Sequence, residues 1–282
     1  MMKLGLIGNS IAKSKAPELH RFLGTIHGID VTYELFDPVD SSERAFEKTL
    51  NELINQGLDG CNITFPFKQL ALSKSEEQDP ACVLVGSTNT LKFDNTISAT
   101  NTDFSGFKRA ITHRLSEEPI GKALLLGAGG VGRAVAFGVA QLSQQPVYIY
   151  DPSIDRANDL AHSLKQRGFE SEVVHPNNID EYATSVQGIL NCSPIGHYKT
   201  PGIPLKTSLI GNQSWVFDAV YTPLKTPLIE AALNRDLNII SGLDLFFYQG
   251  LDAFEFWTAI AVDEYEVRKE FIVASKLEDQ LI

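Results

Sequence analysis

Residues 127–132 read Gly-Ala-Gly-Gly-Val-Gly, a GxGxxG string set between two apolar runs, Ala123–Leu126 before it and 134–142 after it. The next apolar run, Val147–Tyr150, ends in Asp151, nineteen residues past Gly132. A strand, this loop, a helix, and an acid at the end of the second strand form the full context of a dinucleotide-binding βαβ unit. Gly127 permits the tight turn, Gly129 lets backbone approach a pyrophosphate, and Gly132 allows close helix–strand packing. The N–H groups at the helix start face the anion, and the macrodipole favours it. The loop as a whole, with Ala128, Gly130 and Val131 completing it, predicts a Rossmann domain. An ordinary glycine-rich turn is the alternative, and the flanking strands and acid argue against it.

Asp151 bears on which dinucleotide fits. A carboxylate at this strand end accepts hydrogen bonds from an adenosine ribose with free hydroxyls and repels a 2′-phosphate, which needs an arginine. Pro152, Ser153 and Ile154 follow, and Arg156 falls inside the next helix. The expectation is NAD as cofactor, with NADP disfavoured. Asp151 also suits the N-cap of that helix, and the two roles are compatible.

The 282 residues exceed one average domain. Strand and helix patterns alternate through the first hundred residues and again from 123 to about 235, which predicts an α/β protein built on mainly parallel sheets. The polar stretch near 105–120 marks a boundary. The expected organisation is a substrate-binding and catalytic domain at 1–104, a Rossmann domain at 105–240, and C-terminal helices at 241–282 that return to the first domain. The aromatic residues of that last segment need burial against another element. Thirty-five acids against 24 Lys and Arg give a net charge of −11, which argues against nucleic acid and against a polybasic membrane surface. Three dispersed cysteines form no disulfide framework. No secretory signal and no membrane-spanning run are evident, so a cytoplasmic protein is expected.

Four polar segments fall at strand ends or loops of the first half: 14–20, 62–68, 86–90 and 101–106. Three carry Asn-Thr or Asn-x-Thr, uncharged donors and acceptors suited to a polyhydroxylated ligand. Lys68 and Asp103 are the pair with proton-transfer chemistry. Each has a plain alternative: Lys68 as a solvated helix-start lysine, Asp103 as a helix N-cap. His20 reads as a satisfied, partly buried histidine. No histidine has metal-ligand spacing, and no metal is expected.

These segments resemble the shikimate dehydrogenase family over nearly the whole chain. Gly8–Pro17 through His20 is similar to the family's opening GNPIAHSKSPxxHN, and Asn62–Lys68 to its NxTxPxK box. Gly86–Thr90 resembles GAVNT, and Asn101–Gly106 resembles NTDxxG. Asn191–Gly196 resembles NATxxG, Asp218–Leu228 resembles DxxYxPxxTPLL, and Gly242 and Gln249 match the C-terminal motif. The resemblance implies reversible hydride transfer between a nicotinamide and C3 of a cyclic hydroxy acid, shikimate or quinate. It implies Lys68 and Asp103 as the catalytic pair. Ser14, helped by Tyr221, would hold the substrate carboxylate, and Thr64, Asn89, Asp103 and Gln249 the ring hydroxyls. Ala219 and Gly242 match positions that touch the cofactor.

The chemistry agrees. Alcohol oxidation needs loss of the hydroxyl proton as hydride leaves, and reduction needs a donor on the carbonyl. A carboxylate beside Lys68 pairs with its ammonium and suits it to the acid role. Three departures stand out. Ser14-Lys15-Ala16 replaces Ser-x-Ser, which removes one donor or makes room for the extra hydroxyl of quinate. Asp151 replaces the Asn of the family's Asn-Arg-Thr. Phe246-Phe247 stands where relatives often have Met-Leu at the pocket rim. An NAD preference with a changed carboxylate site fits a catabolic enzyme better than a biosynthetic one. Alternatives are a paralogue acting on another cyclic hydroxy acid and a non-catalytic metabolite sensor. A monomer or homodimer is expected, with a small-molecule substrate as the partner.

Overall fold

Apolar residues dominate the first strand, β1 (Met2–Ile7), which is buried through its second half. The chain is a computed structural model that describes residues 1–116 and 118–275. After β1 come α1 (Ala16–Ile26), β2 (Val31–Phe36), α2 (Glu43–Asn55), β3 (Gly60–Ile63) and α3 (Lys68–Ser73). They are followed by β4 (Glu77–Gln78), α4 (Pro80–Val85), β5 (Thr90–Phe93), β6 (Ile97–Thr100) and α5 (Thr102–Leu115). The sheet order is β2-β1-β3-β5-β6-β4. Pairings β1–β2, β1–β3 and β4–β6 are parallel, and β5 runs against both β3 and β6. The sheet is thus parallel but for one strand. Its core packs Ile7, Phe46, Leu53, Ile63, Phe67 and Leu91.

The second series is β7 (Ala123–Leu126), α6 (Gly130–Ser143), β8 (Val147–Tyr150), α7 (Ile154–Gln166), β9 (Ser171–Val173), α8 (Ile179–Ser185) and β10 (Gly188–Asn191). Then follow β11 (Trp215–Asp218), α9 (Pro227–Leu233) and β12 (Asn238–Ser241). All pairings are parallel, in the order β12-β11-β10-β7-β8-β9. Counted within this unit that is 3-2-1-4-5-6 reversed, the Rossmann arrangement, with its switch point between β7 and β10. Leu124, Ile189, Val216, Leu228 and Ile229 fill its core.

Two helices end the described chain, α10 (Gly242–Thr258) and α11 (Glu264–Ser275). The described chain divides into two compact units, Met1–Gly106 with residues 247–275, and Phe107–Phe246. The divisions fall inside α5 and α10. Residues 241–246 go with the second unit, unlike the expected break at 240. Their capping contacts explain this: Ser241 N–H and Oγ–H donate to Asp244 (2.8 and 2.9 Å), and Arg114 pairs with Asp244. In the first unit, Trp257 donates its indole N–H to the Leu91 carbonyl at 2.8 Å. A Cβ on Gly60 would lie 2.4 Å from that indole nitrogen, so glycine is required there. Trp257 of α10 thus finds its burial on β3 and β5.

Several elements lie outside the apolar patterns of the sequence. α3 is only six residues long, and β6, α8 and β12 are short and rich in Ser, Thr, Asn or Asp, so tertiary packing makes them. α5 begins at Thr102, four residues before the helix that the sequence predicts over 106–115. The three cysteines are free. Among the described residues, no helix is long and apolar enough to cross a membrane.

Candidate active site

In the first unit, Lys68 opens α3 and Asp103 lies in the first turn of α5, and their side chains form an ion pair. Lys68 is 8% exposed and Asp103 7%, so Lys68 is not a solvated lysine. Nor is Asp103 the cap of α5. Asn101 takes that part, its Oδ1 accepting the Phe104 N–H at 3.1 Å while its Nδ2 donates to the Ser87 carbonyl at 2.8 Å. Capping by Asn101 leaves the Asp103 carboxylate for Lys68.

The neighbouring polar residues form one network. Thr88 donates its N–H to the Lys68 carbonyl at 3.0 Å. Asn89 is 3% exposed; its Oδ1 accepts the Thr102 N–H at 2.7 Å and its Nδ2 donates to Thr102 Oγ1 at 2.9 Å. Thr102 Oγ1 also reaches Gln249 Oε1 at 3.5 Å. Asn89 therefore spends most of its amide on the residue beside Asp103, and has less left for a ligand than the sequence suggests. Gly106 permits this arrangement, since a Cβ there would lie 2.5 Å from the Gln249 nitrogen. Thr102 is the residue that sequence reasoning passed over. It sits inside the 101–106 segment, but only the structure reveals it as the hub.

Thr64 is half-buried after β3, with its N–H on the Ile7 carbonyl at 2.9 Å. Its methyl occupies the space a Cβ on Gly8 would need. Ser14 Oγ accepts the Ala16 N–H at 3.2 Å, leaving its hydroxyl proton to donate elsewhere. His20 differs from the expectation of a satisfied, partly buried residue. It is fully buried and stacked on Tyr33 at 5.0 Å, and neither ring nitrogen makes a hydrogen bond of normal geometry, Asn62 being only a weak polar neighbour. Burial pushes it down to about 3, so the ring is neutral at physiological pH.

In the second unit, Gly127 has φ +103°, and a Cβ on Gly132 would lie 2.0 Å from the Gly127 carbonyl oxygen. A Cβ on Gly129, by contrast, would meet open space. Gly129 caps α6, and Arg133 N–H makes the first helical bond, to Gly129 O at 2.8 Å. The N–H groups of Gly130, Val131 and Gly132 thus lack intrahelical partners. An open-faced glycine beside unpaired N–H donors fits a pyrophosphate. Ala128 is different: its N–H donates to Asp151 Oδ2 at 2.8 Å and is not available to a phosphate.

Asp151 also accepts the Ser153 N–H (2.8 Å) and pairs with Arg156 (2.9 Å) through Oδ1. Ser153, not Asp151, occupies the N-cap of α7. The arginine that sequence spacing set aside thus reaches Asp151 from the first turn of α7 and offsets part of its charge. Ala219 and Gly242 lie together, a Cβ on Gly242 falling 2.5 Å from the Ala219 carbonyl oxygen. Tyr221 stacks on Phe246 with ring centroids 5.3 Å apart, and burial raises its phenol, which keeps it a donor. Phe247, expected at a pocket rim, is fully buried in the first unit against Tyr248 and Phe271. Among the described residues, no three His, Cys, Asp or Glu side chains gather as a metal site would require.

Comparison with known proteins gives a consistent answer. Residues 6–91 match the family model described as the shikimate dehydrogenase substrate binding domain. The quinate/shikimate dehydrogenase (NAD(+)) of Corynebacterium efficiens is 30% identical over 278 residues, covering 95% of this chain and 97% of that protein. The shikimate dehydrogenase (NADP(+)) of Pseudarthrobacter chlorophenolicus is also 30% identical, over 95% of this chain and 94% of its own. The solved quinate dehydrogenase from Corynebacterium glutamicum in complex with NAD superposes with a TM-score of 0.88 at 30% identity, covering 96% of this chain and 99% of that one. The chain belongs to the shikimate/quinate dehydrogenase family, whose members are alcohol oxidoreductases that use NAD or NADP.

Proposed function

We propose that this chain interconverts shikimate with 3-dehydroshikimate, or quinate with 3-dehydroquinate, and prefers NAD. The observation that carries the reading is the buried Lys68–Asp103 ion pair at the head of two helices. A buried charge pair is costly to desolvate, and a proton-transfer site is one reason to keep it. Residues 1–104 with the C-terminal helices form the substrate-binding part in this reading, and 105–240 the cofactor-binding part.

The nicotinamide, when bound, supplies or accepts the hydride. In reduction, the Lys68 ammonium donates its proton to the carbonyl oxygen as negative charge develops there. In oxidation the same amine receives the hydroxyl proton, while Asp103 holds it in place. Ser14, with its free hydroxyl proton, donates to the substrate carboxylate, and Tyr221 is a second donor. Thr64, Asn89, Asp103 and Gln249 orient ring hydroxyls. The backbone of Gly127–Gly132 receives the pyrophosphate, and Ala219 and Gly242 line the cofactor.

The NAD preference rests on Asp151. Its carboxylate keeps acceptor capacity on Oδ2, enough for a ribose hydroxyl. Pairing with Arg156 makes it a weaker barrier to a 2′-phosphate than a lone acid. NADP is therefore a slower co-substrate rather than an excluded one. Absorbance at the NADH wavelength, with shikimate and quinate each offered NAD and NADP, tests the whole reading. Turnover with NAD exceeding that with NADP is expected, and a higher kcat/KM with NADP overturns the preference. No turnover in any of the four combinations overturns the function.

A further inference from the structure

Asp218 ends β11 and is fully buried, yet its hydrogen-bond partners are all uncharged. Its Oδ1 accepts from Asn191 Nδ2 at 2.8 Å and from the Val220 N–H at 3.0 Å. Its Oδ2 accepts from Thr226 Oγ1 at 2.6 Å. Thr226 is the N-cap of α9, and its Oγ1 accepts the Ile229 N–H. The ionisable residues nearest in sequence on that side, Lys225 and Glu230, are exposed. A carboxylate desolvated without a cation is expensive, and burial pushes Asp218 up to about 6.

Its partner Asn191 ends the adjacent strand β10 and has every polar valence filled. Nδ2 donates to Asp218 and to the Ile195 carbonyl (2.9 Å), and Oδ1 accepts the Ser193 N–H (3.1 Å) and hydroxyl (2.6 Å). That amide folds the 191–195 loop onto itself. The loop in turn abuts the glycine-rich turn: a Cβ on Gly127 would lie 2.8 Å from the Cys192 carbonyl, and one on Gly132 would lie 3.3 Å from the Cys192 Cβ.

We infer that Asp218 is a positioning residue for the dinucleotide. It holds the loops leaving β10 and β11, through Asn191 and the Val220 N–H, against the glycine-rich turn. It touches no ligand itself. The inference rests on the reading of the glycine-rich turn as the dinucleotide site. An asparagine in its place keeps the two bonds that hold the loops, its Oδ1 accepting from Asn191 and Val220, and reverses only the third, its Nδ2 donating to Thr226 Oγ1 where the carboxylate accepts. An alanine abolishes it and leaves an Asn191 N–H and the Val220 N–H unpaired.

The test is NADH binding to the full chain, followed by fluorescence enhancement, beside steady-state kinetics. For Asp218→Ala the dissociation constant of NADH is expected to rise about tenfold, the scale of one lost hydrogen bond to a charged group. KM for the dinucleotide should rise with it, while kcat at saturating dinucleotide and KM for the cyclic acid stay within about twofold. Asp218→Asn should restore binding to within about twofold of wild type. Unchanged NADH affinity in Asp218→Ala, or Asp218→Asn as impaired as Asp218→Ala, overturns the inference while leaving the enzyme assignment standing. If Asp218→Ala does not fold, Asn191→Ala takes its place with the same expected split, and its failure to show that split is equally decisive. Wild-type protein that binds no nicotinamide dinucleotide removes both this inference and the reading beneath it.

Discussion

Asp103 of the first unit and Asp218 of the second are both buried, Asp218 completely, yet their surroundings are opposite. Asp103 faces the Lys68 ammonium, and Asp218 faces an asparagine, a threonine and a backbone N–H. The first carboxylate is one half of a charged pair whose cation can move a proton. The second is an isolated anion whose neutral donors offset only part of its desolvation, so its ordinary value is pushed up to about 6. The same residue type, buried in both units, therefore supports chemistry in one and loop geometry in the other. The partner decides which.

Amide substitution at each position separates the two. Asp103→Asn strands a buried ammonium, which costs roughly 3–5 kcal/mol and should appear as a large fall in denaturant midpoint at neutral pH. Asp218→Asn should do the reverse. The folded protein binds the Asp218 proton more tightly than the unfolded chain, so this group's stabilising contribution is full below about pH 4 and is lost as pH rises through about 6. At about 1.36 kcal/mol per pH unit, the gap reaches about 3 kcal/mol above pH 7. Asp218→Asn lacks that loss, so its stability relative to wild type should climb between pH 4 and 7. A flat difference across that range would place Asp218 among the carboxylates with a cationic partner and end the contrast.

Lys68→Ala sharpens it from the other side, because it leaves Asp103 without a cation, as Asp218 is. The expected loss in kcat is about 10²-fold, the scale of general acid–base catalysis. Near-normal kcat in steady-state assays would remove Lys68 from the mechanism.

How far the sequence revealed these sites follows from how local each is. The glycine-rich turn is legible because its constraints sit within six consecutive residues: a positive φ at Gly127, and a Gly132 with no space for a Cβ. The Rossmann strands around it are apolar runs. The Lys68–Asp103 pair joins two helix starts far apart in the chain, and each residue alone had a plausible structural role. Family motifs marked both, while their pairing is set by β3 and by the Asn101 cap on α5. Asn89, marked as a ligand, is mostly committed to Thr102, because a motif shows that a residue matters without showing what it bonds. The Asp151–Arg156 contact escaped the spacing argument because the turn between β8 and α7 folds the arginine back.

That contact makes Asp151 an intermediate case between the two carboxylates, held by backbone N–H groups on one side and by a guanidinium on the other. Asp151→Ala releases both the Ala128 N–H and Arg156 and removes the charge that opposes a 2′-phosphate. The freed arginine becomes a donor suited to that phosphate. The ratio of kcat/KM for NADP to that for NAD should therefore rise, by about tenfold, or about 1.4 kcal/mol. Arg156→Ala, with Asp151 intact, should move the same ratio the other way by a smaller factor, since the acid then meets the phosphate unshielded. The effect of Arg156 should also shrink at high ionic strength, because it is largely exposed and screening reaches it. If neither substitution moves the ratio, Asp151 only braces the glycine-rich turn, and it joins Asp218 as a carboxylate that sets geometry rather than selects a ligand.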